Sequence, residues 1–82
     1  MQELEVGTVV EVAGDVTTRM RDRTRWAVFF PAEEANYVFC RLKKDGSPAS
    51  VNAANIEGLS PEIVQRLIDG RRLSIRPEKV TF

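Results

Sequence analysis

The chain has 82 residues, of which 43% are hydrophobic and 29% are charged, a composition typical of a folded domain and not of a disordered segment. Twelve basic and twelve acidic residues give a net charge of zero. This balance argues against attraction of the whole molecule to nucleic acid or to a membrane surface. The length predicts a single domain over residues 1–82.

Cysteine usage and the N-terminal residues predict where the protein resides. Cys40 is the only cysteine, so the chain cannot form an internal disulfide, on which secreted domains of this size usually depend. Residues 1–5 lack the basic and apolar regions of a signal peptide, and no apolar run is long enough to span a bilayer. We therefore expect a cytoplasmic protein without a membrane partner.

Two alternating segments begin the chain. In residues 4–12, apolar residues and threonine occupy the even positions, which predicts a half-buried strand with those positions facing inward. Residues 16–21 alternate in the same way and predict a second strand, with Val16 and Met20 facing inward. A loop at residues 13–15 pairs the two strands in the register that keeps arginine out of the core.

The central strand of the predicted sheet is the segment 25–31. It contains the only tryptophan and two of the four phenylalanines, and it ends at a proline. A loop over residues 32–36 leads to a fourth strand at residues 37–43. The predicted register opposes three pairs of inward side chains: Trp26 and Leu42, Val28 and Cys40, and Phe30 and Val38.

The second half of the chain predicts one helix. Residues 52–58 have the composition of a loop, and Ser60 followed by Pro61 is typical of a helix N-terminus. Apolar residues then recur at helical spacing, which predicts a helix over residues 59–70. Such a short helix is marginal by itself, so its apolar stripe must pack on the sheet.

Residues 71–82 return to an alternating pattern, which predicts a final strand that bends or splits at Pro77. The predicted element order is β-β-β-β-α-β. This order is typical of an α+β, mainly β fold: a small curled antiparallel sheet, or a partly open barrel, closed by one short helix.

The same registers predict an outer sheet face that is aromatic at one end and cationic at the other. Phe29 opposes Phe39, and Arg25 opposes Lys43, so like charges face each other across two strands. Exposed aromatic pairs commonly mark an interface. The hypothetical binding face consists of Arg19, Arg21, Arg25, Phe29, Tyr37, Phe39, Arg41 and Lys43.

Three interpretations of this face stay open. The apolar stripe of the helix needs a surface to pack on, and Phe29, Tyr37 and Phe39 could provide it, with solvated charges around them. A protein partner or a second copy of the chain suits the aromatic end, because aromatic residues and arginine are enriched at interfaces. Single-stranded nucleic acid would place phosphates on the cations and bases on the rings. Burial is the commonest outcome, and the zero net charge ranks nucleic acid last.

The sequence contains no catalytic or metal-binding pattern. The absence of histidine removes the commonest general base and the commonest metal ligand. Cys40 alternates inward, which predicts a buried and unreactive thiol. Glu33 and Glu34 are adjacent loop residues whose side chains diverge, which does not favour an acid/base pair. We therefore predict a non-catalytic binding module with no cofactor and no evident small-molecule site. It acts through protein contacts or, alternatively, binds single-stranded nucleic acid on the aromatic and basic face.

Overall fold

The computed structural model describes residues 3–32 and 35–82. This part of the chain forms five strands, one α-helix and a short 3-10 turn at Ala53–Asn55. The fold is α+β and mainly β, as the sequence predicts. The strands are β1 Thr8–Val12, β2 Arg25–Phe30, β3 Tyr37–Arg41, β4 Ile56–Leu59 and β5 Leu73–Lys79, and helix α1 is Pro61–Asp69.

All five strands belong to one antiparallel sheet in the order β4-β3-β2-β1-β5. The strand that carries Trp26 is central, as predicted. Within the described residues, β4 and β5 are the two edges and do not pair with each other. The sheet is therefore open and does not close into a barrel.

Residues 16–21 are not a strand, contrary to the sequence prediction. β1 pairs directly with β2, and Val9 lies opposite Ala27. A strand forms instead at β4, in and beyond the segment 52–58 that the sequence predicts as loop, and it pairs with β3. The order β-β-β-β-α-β is thus observed, but with a different set of strands.

Side-chain hydrogen bonds explain why the segment between β1 and β2 is a loop, which we call the 13–24 loop. Asp15 Oδ1 accepts a hydrogen bond from the backbone N–H of Asp22 at 2.9 Å, and Asp22 Oδ1 accepts one from the N–H of Gly14 at 2.7 Å. Such bonds offer the backbone an alternative to a strand ladder. Met20 still points inward and is fully buried, so the alternation correctly predicts its burial while the strand itself is absent.

The pairing of β2 with β3 follows the prediction at one end only. Phe30 lies opposite Val38 as predicted, but Val28 lies opposite Phe39. The register shifts between Val28 and Phe30, which identifies a β-bulge at Phe29. Because side chains alternate between the faces of a sheet, this one-residue shift turns Phe39 from the outer face to the core.

The larger core lies between the sheet and a cover made of α1 and the 13–24 loop, and we call this side of the sheet the helix face. Trp26 and Met20 share this core as predicted, whereas Leu42 belongs to the opposite side. The buried side chains of the helix-face core are Leu4, Val10, Val12, Met20, Trp26, Val28, Tyr37, Phe39, Leu59, Val64 and Leu73.

Helix α1 forms where the sequence predicts it. Ser60 Oγ accepts a hydrogen bond from the backbone N–H of Ile63 at 3.2 Å, which caps the N-terminus. Val64 is fully buried, and Leu67 and Ile68 pack at the border of the core. The apolar stripe therefore docks on the sheet.

The interruption predicted at Pro77 is present in the pairing of β5 with β1. The register shifts between the pairs Val10–Ile75 and Thr8–Lys79, so four residue steps on β5 face two on β1. An irregularity of this kind suits proline, which cannot donate to the ladder.

Beyond β5, the C-terminal residues cover the second side of the sheet, which we call the tail face. The N–H of Val80 donates to the carbonyl oxygen of Gly7 at 2.9 Å. The Val80 side chain packs against a second buried cluster of Val9, Ala27 and Leu42. β1 is therefore buried on both sides, and not half-buried as its alternation predicts.

Candidate interaction surfaces

Two of the three aromatic residues on the predicted binding face are in the core. Tyr37 is 1% exposed and Phe39 is 0% exposed, and both belong to the helix-face cluster. The Tyr37 hydroxyl accepts a hydrogen bond from the backbone N–H of Leu4 at 3.0 Å, which satisfies its polar group. Their predicted outward placement is wrong because of the bulge, and these two rings cannot stack on a ligand.

The third aromatic residue, Phe29, belongs to a different surface group. Its ring centroid lies 4.7 Å from that of Phe30 and 5.0 Å from that of Phe82. Phe29 is half-buried, while Phe30 is 56% exposed and Phe82 is 46% exposed. We call these three residues the aromatic cluster.

Sequence reasoning misses Phe30 because it assumes a regular strand, and it misses Phe82 because the contact with Phe29 is distant in the chain. In a regular strand, consecutive side chains point to opposite faces, so Phe29 and Phe30 would be apart. A bulge places two residues opposite one, here Val38, and brings both rings together. The available signal is the Phe-Phe pair itself. In a regular strand with one solvent-exposed face, one of two consecutive rings would point to water.

Arg19 and Arg21 lie on the 13–24 loop and not on a strand of the sheet. Arg19 Nη1 lies 3.8 Å from Glu57 Oε2, and Arg21 Nε lies 3.1 Å from Asp15 Oδ2. Both cations are thus paired with carboxylates of the same chain. Their predicted place beside the other cations on a sheet face is wrong.

The remaining predicted cations, Arg25, Arg41 and Lys43, line one cleft together with Arg23 and Lys44. Their predicted register is wrong, because Arg41 lies opposite Trp26 and the backbone N–H of Leu42 donates to the carbonyl oxygen of Arg25. They surround a cleft of about 360 Å³ where β2 begins and β3 ends. We call it the cationic cleft. Its lining residues are Arg23, Thr24, Arg25, Arg41, Leu42, Lys43 and Lys44.

Carboxylates neutralise one part of this cleft. Arg25 Nε lies 3.4 Å from Glu11 Oε1, and Arg25 Nη1 lies 3.6 Å from Glu78 Oε2. The pKa of Glu78 is lowered by its own backbone N–H and by the nearby guanidinium groups of Arg76 and Arg25, so this carboxylate is firmly ionised at neutral pH. Arg23 Nε lies 3.8 Å from Asp22 Oδ2, a looser contact.

The other part of the cleft is less completely neutralised. Within residues 3–32 and 35–82, Arg41, Lys43 and Lys44 form no ion pair. The nearest turn carboxylate, Asp45, accepts hydrogen bonds from the side chain and backbone of Ser47, and these bonds together with the charge of Lys43 lower its pKa. Ionised Asp45 offsets part of the charge of Lys43, while Arg41 and Lys44 keep the β3 side of the cleft positive.

The aromatic cluster and the cationic cleft are separate surfaces. Arg25 begins β2 and Phe30 ends it, so they lie about 16 Å apart along the strand. The continuous aromatic and basic platform that the sequence predicts does not form.

The described residues offer little else with chemical reactivity. Cys40 is buried, and its Sγ lies 3.6 Å and 3.7 Å from the carbonyl oxygens of Arg41 and Ala49. Desolvation raises the pKa of this thiol, in keeping with the prediction of a buried, unreactive cysteine. No group of three or more potential metal ligands occurs in the part of the chain that the structure describes. Glu33 and Glu34 lie outside the described residues.

Comparison with known proteins adds no relationship. A scan against protein-family models found no match, and searches of curated proteins and of solved structures found no similar chain. None of the helices within residues 3–32 and 35–82 is long and apolar enough to cross a membrane.

Proposed function

We propose that this protein is a non-catalytic binding module of the cytoplasm that acts through protein contacts anchored on the aromatic cluster. The observation that carries the proposal is the exposure of Phe30 and Phe82 beside the half-buried Phe29. Aromatic side chains contribute much of the binding free energy at protein interfaces. A buried, free Cys40 suits a reducing compartment.

The size of the cluster suits an anchor within a larger interface. Two phenylalanine side chains that are about half exposed leave roughly 200 Å² of aromatic surface in one place. A standard interface covers about 800 Å² on each partner, so neighbouring residues must also take part. Val38 lies beside Phe30 on β3, and the edge strand β4 lies next to it. An edge strand can accept a strand from a partner.

A second copy of the chain is one partner that the charge distribution permits. The net charge of zero means that two copies do not repel each other as whole molecules. An interface made by the same patch on both copies would bring two aromatic clusters together.

Site-specific photo-crosslinking tests the proposal. A photoreactive amino acid at position 30 is expected to give protein adducts in cells, and the adduct mass distinguishes a second copy from another protein. The matched control carries it at Val51, which is 62% exposed and not in the cluster. Where the adduct is a second copy, sedimentation of the Phe30→Ser and Val51→Ser variants completes the test. Phe30→Ser should abolish the association between copies, and Val51→Ser should leave it intact. The absence of any protein adduct specific to position 30 would contradict the proposal.

The alternative function, single-stranded nucleic-acid binding on one aromatic and basic face, has lost part of its support. Tyr37 and Phe39 are buried, and the aromatic cluster lies about 16 Å along β2 from the cationic cleft. Base stacking next to the cations is therefore not supported.

A further inference from the structure

Three of the six basic side chains that form no ion pair within residues 3–32 and 35–82 lie together at the cationic cleft. Arg72 donates to the carbonyl oxygens of Ala13 and Asp15, so its guanidinium has a structural role. Arg66 and Arg71 lie on α1 and just after it. The basic side chains that form no ion pair within residues 3–32 and 35–82 are Arg41, Lys43, Lys44, Arg66, Arg71 and Arg72.

The lining of the cleft favours a polyanion over a protein surface. Among the described residues that line the cleft, Leu42 alone is apolar, and it is 6% exposed. A protein partner would find no pocket for an aromatic or aliphatic anchor there. Neutralisation of phosphates by lysine and arginine needs no such anchor.

The dimensions of the cleft favour a single strand. Arg41 ends β3 and Lys43 follows two residues later, so the two side chains lie about 6.6 Å apart along the extended chain. This distance is similar to the spacing of phosphates along a nucleic-acid backbone. A cleft of about 360 Å³ has the volume of a small-ligand site, so it can hold a short stretch of one backbone.

We propose that the cationic cleft binds the sugar-phosphate backbone of single-stranded nucleic acid, without regard to base sequence, through Arg41, Lys43 and Lys44. Arginine offers two parallel N–H donors to a phosphate, and the two lysines act as point charges. Arg25 is held by Glu11 and Glu78 and forms the neutral wall of the site. This site is distinct from the aromatic cluster and does not rest on the proposed protein contacts.

Salt dependence gives the expected size of the effect. Three neutralised phosphates on a single strand give a slope of about −2 in log K against log salt concentration, so affinity falls about 15-fold between 50 and 200 mM salt. The measurement is fluorescence anisotropy with labelled 12-nucleotide oligothymidylate and oligoadenylate. The two affinities are expected to agree within about twofold, because backbone contacts carry no sequence information.

A pair of double variants with equal charge identifies the cleft as the site. The cleft variant carries Lys43→Gln and Lys44→Gln, and the control variant carries Arg66→Gln and Arg71→Gln. Both double variants lower the net charge by the same amount. All four side chains are exposed, so both proteins should fold, which thermal melting verifies. The cleft variant is expected to bind at least tenfold more weakly at 50 mM salt with a slope near −0.7, and the control to change less than about twofold.

Four results would overturn the proposal. The first two are the absence of binding at 50 mM salt and an equal loss of affinity in both double variants. The third is competition by polyglutamate that is as effective as competition by unlabelled oligonucleotide. The fourth is displacement of the labelled oligonucleotide by inorganic triphosphate at equal phosphate concentration. The last two would indicate an acidic protein or a small phosphate ligand instead. A Phe30→Ser variant should bind the oligonucleotide normally, so this test and the test of protein contacts fail separately.

Discussion

The two faces of the sheet differ in how completely they are covered. On the helix face, α1 and the 13–24 loop enclose side chains as large as Trp26 and Phe39, and both are fully buried. On the tail face, the buried cluster consists of the smaller side chains Val9, Ala27 and Leu42 under Val80. A helix covers a broad area of a sheet, whereas an extended segment covers a narrow line. The tail face therefore keeps open ends, and the aromatic cluster occupies one of them.

Charges on the tail face are arranged to neutralise its middle. Glu11 and Glu78 each lie within 4 Å of both Arg25 and Arg76. These side chains are 34–45% exposed, so each pair adds little to stability. The pairs do remove free positive charge from β1, β2 and β5. The cations without an ion pair lie where β3 ends, and Arg41 there is opposite Trp26, so it belongs to the other side of the sheet from Arg25.

The largest expected effect contrasts two phenylalanines, one on each face. Phe39→Ala removes a fully buried ring and should lower the free energy of unfolding by about 3–5 kcal/mol, comparable to the whole stability of a small domain. Phe30→Ala removes a ring that is more than half exposed and should cost less than about 1 kcal/mol. Urea denaturation measures both. Similar losses for the two variants would mean that the two faces are equally packed.

The same two residues show how far the sequence could predict the structure. The central strand, the helix with its Ser60 cap and the irregularity at Pro77 follow from local patterns, because turn chemistry and alternation are encoded nearby in the chain. Alternation cannot reveal a bulge, and one bulge at Phe29 is enough to bury Phe39 and expose Phe30.

Competition between local hydrogen bonds and strand pairing explains why the predicted strand at residues 16–21 does not form. Residues 16–21 have a strand pattern, yet Asp15 and Asp22 bond to the backbone of their own loop. In the candidate sites, Arg25, Arg41 and Lys43 line one cleft, because the pairing of β2 with β3 brings their strand ends together. They do not share one sheet face as predicted, since Arg41 lies opposite Trp26. The contribution of Phe82 depends on a contact over more than fifty residues, which no local pattern contains.

A second prediction concerns the attachment of the tail. Gly7 has φ of 91°, and a Cβ there would collide with the backbone carbonyl oxygen of Val80. Gly7→Ala should therefore cost about 1–3 kcal/mol and expose the tail face. Gly46→Ala is the control, since Gly46 has φ of 87° but nothing near its Cβ position. Hydrogen exchange of the Val80 N–H, which is bonded to Gly7, should accelerate only in the Gly7 variant. Equal costs in both variants would show that the close approach is unimportant.

A third, smaller effect tests the cover of the helix face. Ser60→Ala removes the acceptor for the N–H of Ile63 and should lower stability by about 1 kcal/mol, while Ser60→Asp should be nearly neutral because aspartate also caps. Thermal melting of both variants measures the difference. If Ser60→Asp were as destabilising as Ser60→Ala, the hydrogen bond would not be the cause.

The smallest effect concerns the 13–24 loop and depends on pH. The pKa of Asp15 is lowered by the hydrogen bond from the backbone N–H of Asp22 and by Arg21, so the folded state favours the ionised carboxylate. A group whose pKa is lower in the folded state contributes stability above its unfolded pKa, about 3.9, and loses it as the pH falls through the folded value. Asp15→Asn should therefore lower the melting temperature slightly at pH 7, with a difference from wild type that shrinks below about pH 4. Because the side chain is exposed, 0.5 M salt should also reduce this difference. A difference that stayed constant from pH 7 to pH 2.5 would mean that the charge of Asp15 does not hold the loop against the helix face.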